Sequence, residues 1–198
     1  MRRAPLVLAS KSASRRAMLD AAGIAYRAVP ANIDERAVER EWSGGEGDHV
    51  VAGLSAAKAL AVEPPKSEAF VLGSDSLVVV EGSRFDKPGS REEAAEHLRF
   101  FSGKTLELHA GAALVQGGAV CWDHHDMALL TVRDLSDDFI ARYLEAEWPE
   151  VANCVGVFRI EAMGVHLFER IEGSHFTILG MPLLPVLAAL RRFGVIEA

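Results

Sequence analysis

Hydroxyls and cations crowd one short segment near the N-terminus, Ser10-Lys11-Ser12-Ala13-Ser14-Arg15-Arg16. It follows the apolar run Leu6-Val7-Leu8-Ala9 and leads into a helical pattern. Hydroxyls, backbone N–H groups and three cations therefore converge where a helix dipole is positive, an arrangement that suits a phosphate chain. The alternative is an ordinary serine cap followed by surface arginines. No Gly-x-x-x-x-Gly-Lys-Ser/Thr loop occurs in the chain.

Asp75 stands in Gly73-Ser74-Asp75-Ser76, directly after apolar and small residues. A carboxylate at the carboxyl end of a buried strand lies where α/β sheets open their ligand crevice. There it could hold a divalent cation, take a proton from water, or simply form a turn. Lys58 sits in a helix otherwise made of small and apolar residues, Ser55-Ala56-Ala57-Lys58-Ala59-Leu60. Lys87 lies between Asp86 and Pro88, where the backbone is extended, and Glu35 follows Asp34 in a loop. Each alone reads as solvated surface. Together they supply acids for a metal and cations for phosphates, which is what phosphoanhydride hydrolysis needs: charge neutralisation and a positioned water. His124-His125, flanked by Asp123 and Asp126, has the composition of a metal cluster, but neighbours on a strand point to opposite faces. Trp42, Trp122 and Trp148 are scattered and read as packing residues.

The elements that must hold these groups alternate along the chain. Leu6–Ala9 reads as a buried strand, about 14–22 as a helix ended by Gly23, and Tyr26–Val29 as a second strand. Residues 31–47, with Gly44-Gly45-Glu46-Gly47, read as a loop with at most a short helical turn. Asp48 is placed to cap a helix over about 49–62, which Pro64-Pro65 stops. Phe70–Gly73 reads as a strand ending at Ser74-Asp75-Ser76, with Leu77–Val80 extended into a hairpin turn at Glu81-Gly82. Ser90 and Glu93 make a capping box for a helix to about Phe101. Longer strands near 105–115 and 119–131 meet at Gln116-Gly117-Gly118. Ser136 caps a helix through Glu147. Phe158–Ile160 and Val165–Ile171 read as strands about the turn Ala162-Met163-Gly164, and Pro182 opens a last helix to Phe193. The expectation is a single α/β domain over residues 1–198, a central mixed, twisted sheet flanked by helices.

At 198 residues the chain is long enough to bury about 70–75 % of its unfolded surface. With 49 % apolar and 25 % charged residues it is neither disordered nor fibrous. The formal charge of −7 disfavours general binding to nucleic acid and leaves room for a small anion in a local basic pocket. Arginine supplies 16 of the 21 cations, and its fork suits phosphate and carboxylate. No stretch approaches the roughly 18 apolar residues of a membrane span, and Leu6–Ala9 is too short for a signal-peptide core, so no membrane partner is expected. Cys121 and Cys154 sit in no metal-ligand spacing and read as reduced thiols of a cytoplasmic protein.

These motifs, in this order, resemble the Maf-like nucleoside triphosphate pyrophosphatases. The likeness runs through Leu8–Arg16, Asp34-Glu35, Lys58-Ala59, Gly73-Ser74-Asp75, Lys87-Pro88 and Leu98–Gly103. It closes with Phe168-Glu169-Arg170-Ile171-Glu172-Gly173 and Leu179-Gly180-Met181-Pro182-Leu183. The resemblance implies a Maf/inosine-triphosphatase-like fold. It also implies hydrolysis of a nucleoside triphosphate to its monophosphate and pyrophosphate with a divalent cation, Mg²⁺ or Mn²⁺, as housecleaning of the nucleotide pool. By position, Asp75 is the expected proton acceptor, with Lys58 and Lys87 as its catalytic partners on the phosphates. Glu35 with Asp75 is the expected metal pair. Ser10, Ser12, Ser14, Arg15, Arg16, Ser76 and Glu161 are the expected substrate-binding residues. A homodimer is the expected assembly.

Within that family, members that prefer thymidine and uridine triphosphates resemble one another at an arginine of the first loop, a threonine after the aspartate and a late glutamine. Here those positions are Ser14, Ser76 and Glu161. Glu161, with Leu167–Gly173, is closer to the 7-methyl-GTP subgroup, although Ser14 and Ser76 depart from its tryptophan and glutamine. The stretch Glu150–Gly156 also lacks the Asp-Lys-Ala-Gly of the pyrimidine group, and Ala13 replaces the usual proline. A carboxylate accepts from the N1–H and N2–H of guanine, so Glu161 favours a guanine-type base. The rival expectation is a non-catalytic nucleotide-binding regulator, or an interaction protein linked to arrest of cell division.

Overall fold

Alternating short apolar runs and capped helices give the order of elements directly. The computed structural model describes residues 4–41, 47–64 and 68–197. In chain order these are β1 (Leu6–Leu8), α1 (Ala13–Ala21), β2 (Arg27–Ala28), α2 (Glu35–Glu41), α3 (Gly47–Leu60), β3 (Phe70–Val80) and β4 (Ser83–Phe85). There follow α4 (Arg91–Phe101), β5 (Thr105–Gln116), β6 (Ala119–Val132), α5 (Asp137–Glu147), β7 (Phe168–Glu172), α6 (His175–Ile178) and α7 (Leu183–Arg192). The strands form one seven-stranded sheet in the order β2-β1-β3-β5-β6-β7, with β4 paired to β3. β1 runs parallel to β2 and β3, whereas the β3–β4 and β6–β7 pairs are antiparallel, so the sheet is mixed as expected.

The chain divides into two compact units. The first comprises Met1–Ser76, Ala110–Asp126 and His175–Ala198; the second comprises Leu77–His109 and Met127–Ser174. In the first unit, alternation along β1 sends Leu6 and Leu8 to one face and Val7 and Ala9 to the other. Leu6 and Leu8 pack with Leu72, Leu114, Leu19 of α1, and Val186 and Leu190 of α7. Val7 and Ala9 pack with Val71, Val115 and, at the end of α3, Ala59 and Val62. Burial on both faces is why these parallel strands read as unbroken apolar runs. In the second unit the β3–β4 turn places Glu81 and Gly82 at positive φ, the backbone a two-residue hairpin requires. There α4 and α5 pack together, with Arg99 Nε donating to Asp137 Oδ1 at 2.6 Å.

Three expectations need correction. Residues 35–41 form the helix α2, because Asp34 supplies an N-cap: its Oδ1 accepts the Ala37 N–H at 3.1 Å. β3 does not end at Ser74-Asp75-Ser76. It runs unbroken for 11 residues, since the apolar run resumes at Leu77 and nothing turns the chain. Phe158–Ile160 is irregular, and the expected strand after it is a 3-10 turn over Met163–Leu167 followed by β7. The Gly44-Gly45-Glu46 loop, Trp42 and Pro65 lie outside the described residues.

Candidate active site

The hydroxyl-rich loop builds its own scaffold. Ser12 is the N-cap of α1, its Oγ accepting the Arg15 N–H at 3.4 Å and sharing a hydrogen bond with Ser14 Oγ at 3.0 Å. Ser10 Oγ accepts the Ser12 N–H at 3.1 Å. Arg15 turns inward and is 7 % exposed. Its Nε donates to the Gly180 carbonyl at 2.9 Å, Nη2 to Ser76 Oγ at 3.1 Å and Nη1 to Ser10 Oγ at 3.5 Å. Burial lowers the pKa of this guanidinium, against the opposing pull of Asp75 and Glu35. Arg16, one residue on, is exposed: its carbonyl accepts from Tyr26 Oη at 3.3 Å, and the residue borders an open surface cavity with Asp20 and Ile24.

Asp75 lies in the middle of β3 and faces α3. That helix reaches the strands because two residues there have no side chain. A Cβ on Gly73 would come within 2.8 Å of the Ala59 nitrogen and would overlap the Ser55 carbonyl. One on Gly111 would stand 2.7 Å from the Val51 carbonyl. Ser55 and Lys58, three residues apart, share the helix face that looks at Asp75. Ser55 Oγ accepts the Asp75 N–H at 3.0 Å and donates to the Val51 carbonyl at 2.6 Å. Lys58 Nζ lies 2.8 Å from Asp75 Oδ1 and 2.8 Å from Glu35 Oε1, and Arg15 Nη2 is 4.0 Å from Asp75 Oδ1. Glu35 sits in the first turn of α2, where the helix dipole favours a carboxylate.

Two cations and two carboxylates thus face one another, and their formal charges cancel. Ser10, Arg15, Glu35, Lys58, Asp75 and Ser76 come together, with Ser12 and Ser14 at the adjacent cap. In the second unit, Lys87 follows β4 on the surface and Glu161 is exposed after the irregular Phe158–Ile160. Both act on the charge of the Cys154 thiol, whose pKa is raised chiefly by burial and then by Glu161, with Arg159 and Lys87 opposing.

The family described as Maf-like protein matches residues 5–193. The chain belongs to that family. Among its Maf-family relatives, the "Nucleoside triphosphate pyrophosphatase" of Nitrobacter hamburgensis is 44 % identical over 193 residues, covering 98 % of this chain and 96 % of the relative. The "7-methyl-GTP pyrophosphatase" of Rhizobium etli is 45 % identical over 194 residues (97 % and 98 %), and that of Rhizobium meliloti is 45 % identical over 195 residues (98 % of each).

Glu35 and Asp75 are the carboxylates that could help hold a hard divalent cation. Both are engaged by the Lys58 ammonium, and among the described residues no group of three or more His, Cys, Asp or Glu side chains gathers to hold a metal ion. Mg²⁺ is commonly held by one or two carboxylates plus substrate phosphates and water. Three groups of the site were given no role from the sequence: the Ser55 hydroxyl and, within the family motifs, the Gly180 carbonyl and the missing Cβ of Gly73. Ser55 alone had a local signal, its i, i+3 spacing to Lys58. Among the described residues no helix is long and apolar enough to cross a membrane.

Proposed function

We propose that this Maf-family protein is a nucleoside triphosphate pyrophosphatase that cleaves the α–β phosphoanhydride, releasing nucleoside monophosphate and pyrophosphate. The observation that carries the proposal is the Asp75 carboxylate, buried on Lys58 and beside Arg15, with Glu35 on the same ammonium. A bare phosphate-binding pocket has no use for two carboxylates among its cations. The names of relatives at 44–45 % identity point the same way.

In this reading Asp75 accepts a proton from the water that attacks the α-phosphorus, and the bond to the β-phosphate oxygen breaks. Lys58 orients the carboxylate and, with Arg15 and Lys87, meets the charge of the departing pyrophosphate. Ser10, Ser12 and Ser14 donate hydroxyls to the phosphate chain, and Arg15 is held for it by the Gly180 carbonyl and Ser76. A divalent cation on Glu35 and Asp75 supplies charge neutralisation for the triphosphate. The favoured substrate is a guanine-type or modified nucleotide such as 7-methyl-GTP, supported by the exposed carboxylate of Glu161 and by the names of two relatives. The free thiols of Cys121 and Cys154 suit work in the cytoplasm. A homodimer belongs to the same proposal and rests on the resemblance alone.

The test is pyrophosphate release from dTTP, UTP, CTP, GTP and 7-methyl-GTP with Mg²⁺, Mn²⁺ or EDTA. Metal-dependent turnover led by 7-methyl-GTP or GTP is the expected result. Turnover led by dTTP or UTP keeps the chemistry and removes the base assignment. Binding without turnover on all five replaces the enzyme by a nucleotide-binding regulator.

A further inference from the structure

Glu147 is a carboxylate in an unfavourable place. It is the last residue of α5, where the helix dipole is negative, and it is only 4 % exposed. A buried charge is tolerated when it is paired and hydrogen-bonded, and here both oxygens are engaged. Oε2 accepts from Arg159 Nε at 2.9 Å and from Arg159 Nη2 at 2.9 Å; Oε1 accepts the backbone N–H of Met163 at 3.3 Å.

Those contacts grip the two ends of one five-residue turn, Arg159-Ile160-Glu161-Ala162-Met163. Its middle residue, Glu161, is exposed, whereas Ile160 is buried. The turn is closed by the Ala162 N–H on the Arg159 carbonyl at 3.1 Å. It is also packed tightly from behind, since a Cβ on Gly164 would overlap the Arg159 carbonyl and stand 2.7 Å from its nitrogen. One helical turn before Glu147, the Tyr143 hydroxyl donates to the Val157 carbonyl at 2.9 Å. The buried face of α5 is therefore a platform for the segment 157–163.

We propose that Glu147 is a positioning residue for base selection, clamping this turn so that Glu161 is presented as a fixed pair of acceptors. The inference rests on Glu161 reading a guanine-type base. Two parallel N–H groups on a planar base demand a carboxylate of defined plane and distance. A loose turn would have to be ordered at the moment of binding, which weakens affinity for the base without touching the phosphate chemistry.

The experiment measures kcat and KM separately for GTP, 7-methyl-GTP and UTP with wild type, Glu161→Gln, Glu147→Gln and Arg159→Lys, alongside thermal melts. The expected result is a loss of guanine-over-UTP preference of about tenfold or more in Glu161→Gln and Glu147→Gln. Arg159→Lys should follow in the same direction, because an ammonium cannot replace the two-pronged grip. In Glu147→Gln and Arg159→Lys the loss should sit in KM for the guanine-type nucleotides, with kcat on UTP retained. Glu147→Gln and Arg159→Lys that melt lower but keep the wild-type base ratio overturn the positioning role while leaving Glu161 in place. A wild type without guanine preference, or an unchanged ratio in Glu161→Gln, overturns the reading of Glu161 and this inference with it. Should Glu147→Gln fail to fold, the half-buried Arg159→Lys decides by the same ratio.

Discussion

Lys58 Nζ lies 2.8 Å from Asp75 Oδ1, and both side chains are nearly buried, at 10 % and 12 % exposure. The same ammonium meets the half-exposed Glu35 carboxylate at 2.8 Å. One lysine on α3 therefore joins the middle of β3 to the start of α2. In the proposed function an incoming phosphate chain would compete with both carboxylates for that cation. This competition links substrate binding to the arrangement of the proposed proton acceptor.

Asp75→Asn keeps the shape of the side chain and its place on Lys58 but removes the group that accepts a proton. Turnover should fall by roughly 10²–10⁴-fold, the range for loss of a general base, with the circular dichroism spectrum and nucleotide binding retained. Pyrophosphate release and titration calorimetry check it. Turnover at the wild-type rate would remove Asp75 from the chemistry.

Glu35→Gln should raise the concentration of Mg²⁺ or Mn²⁺ needed for half-maximal activity by about 10-fold or more, the scale seen when support for a metal is weakened. Because Glu35 is half exposed, thermal stability should change little. Activity titrated with metal tests this, and an unaltered midpoint would take Glu35 out of the metal site.

Gly73→Ala places a methyl group against the backbone of α3 at Ser55 and Ala59. Neither neighbour is a flexible side chain, so the helix must shift. The expected destabilisation is about 3 kcal/mol, or a drop in Tm of about 6–12 °C. Activity should fall further than stability alone explains, since Ser55 and Lys58 move with the helix. A melt at the wild-type temperature would show that α3 does not need this close approach.

His97 packs edge-on against Phe85 at 5.0 Å and beside Phe101 at 6.0 Å, and its Nδ1 is buried with no hydrogen-bond partner among the described residues. Burial lowers its pKa below the ordinary 6.5, against the opposing pull of Glu93, Glu96 and Asp86. Below that ordinary value the unfolded chain binds the proton before the folded one does. The contribution is thus complete above pH 6.5 and is lost as the pH falls toward the depressed folded pKa. His97→Phe should flatten the fall of Tm between about pH 7 and pH 5. An identical slope in wild type and variant would rule out His97 as a source of acid sensitivity.

Much of the framework is legible without coordinates because it is local. Ser12, Ser90 and Ser136 announce helix starts through bonds made within three residues. The apolar runs at Leu6–Leu8 and Phe70–Leu72 announce buried strands. The charged candidates also stand out by type, and Glu35, Lys58 and Asp75 lie close together in the structure. Local signals misled where two endings compete. The residues Ser74-Asp75-Ser76 have the composition of a turn, yet they continue one strand between the stretch paired with β1, Phe70–Leu72, and the stretch paired with β4, Val78–Val80.

What only the tertiary structure decided is partnership over distance. Arg15 is fixed by a carbonyl 165 residues away, and the Asp75 N–H is met by a hydroxyl 20 residues earlier rather than by a neighbouring strand. Glu147 looks like one more surface carboxylate at a helix end, until burial leaves it no solvent and Arg159 and Met163 take its place. Periodicity and capping report what a residue does to its own few neighbours in the chain. Ion pairing, desolvation and the close approach of backbones depend on which segments meet, and only the packed sheet and helices set that.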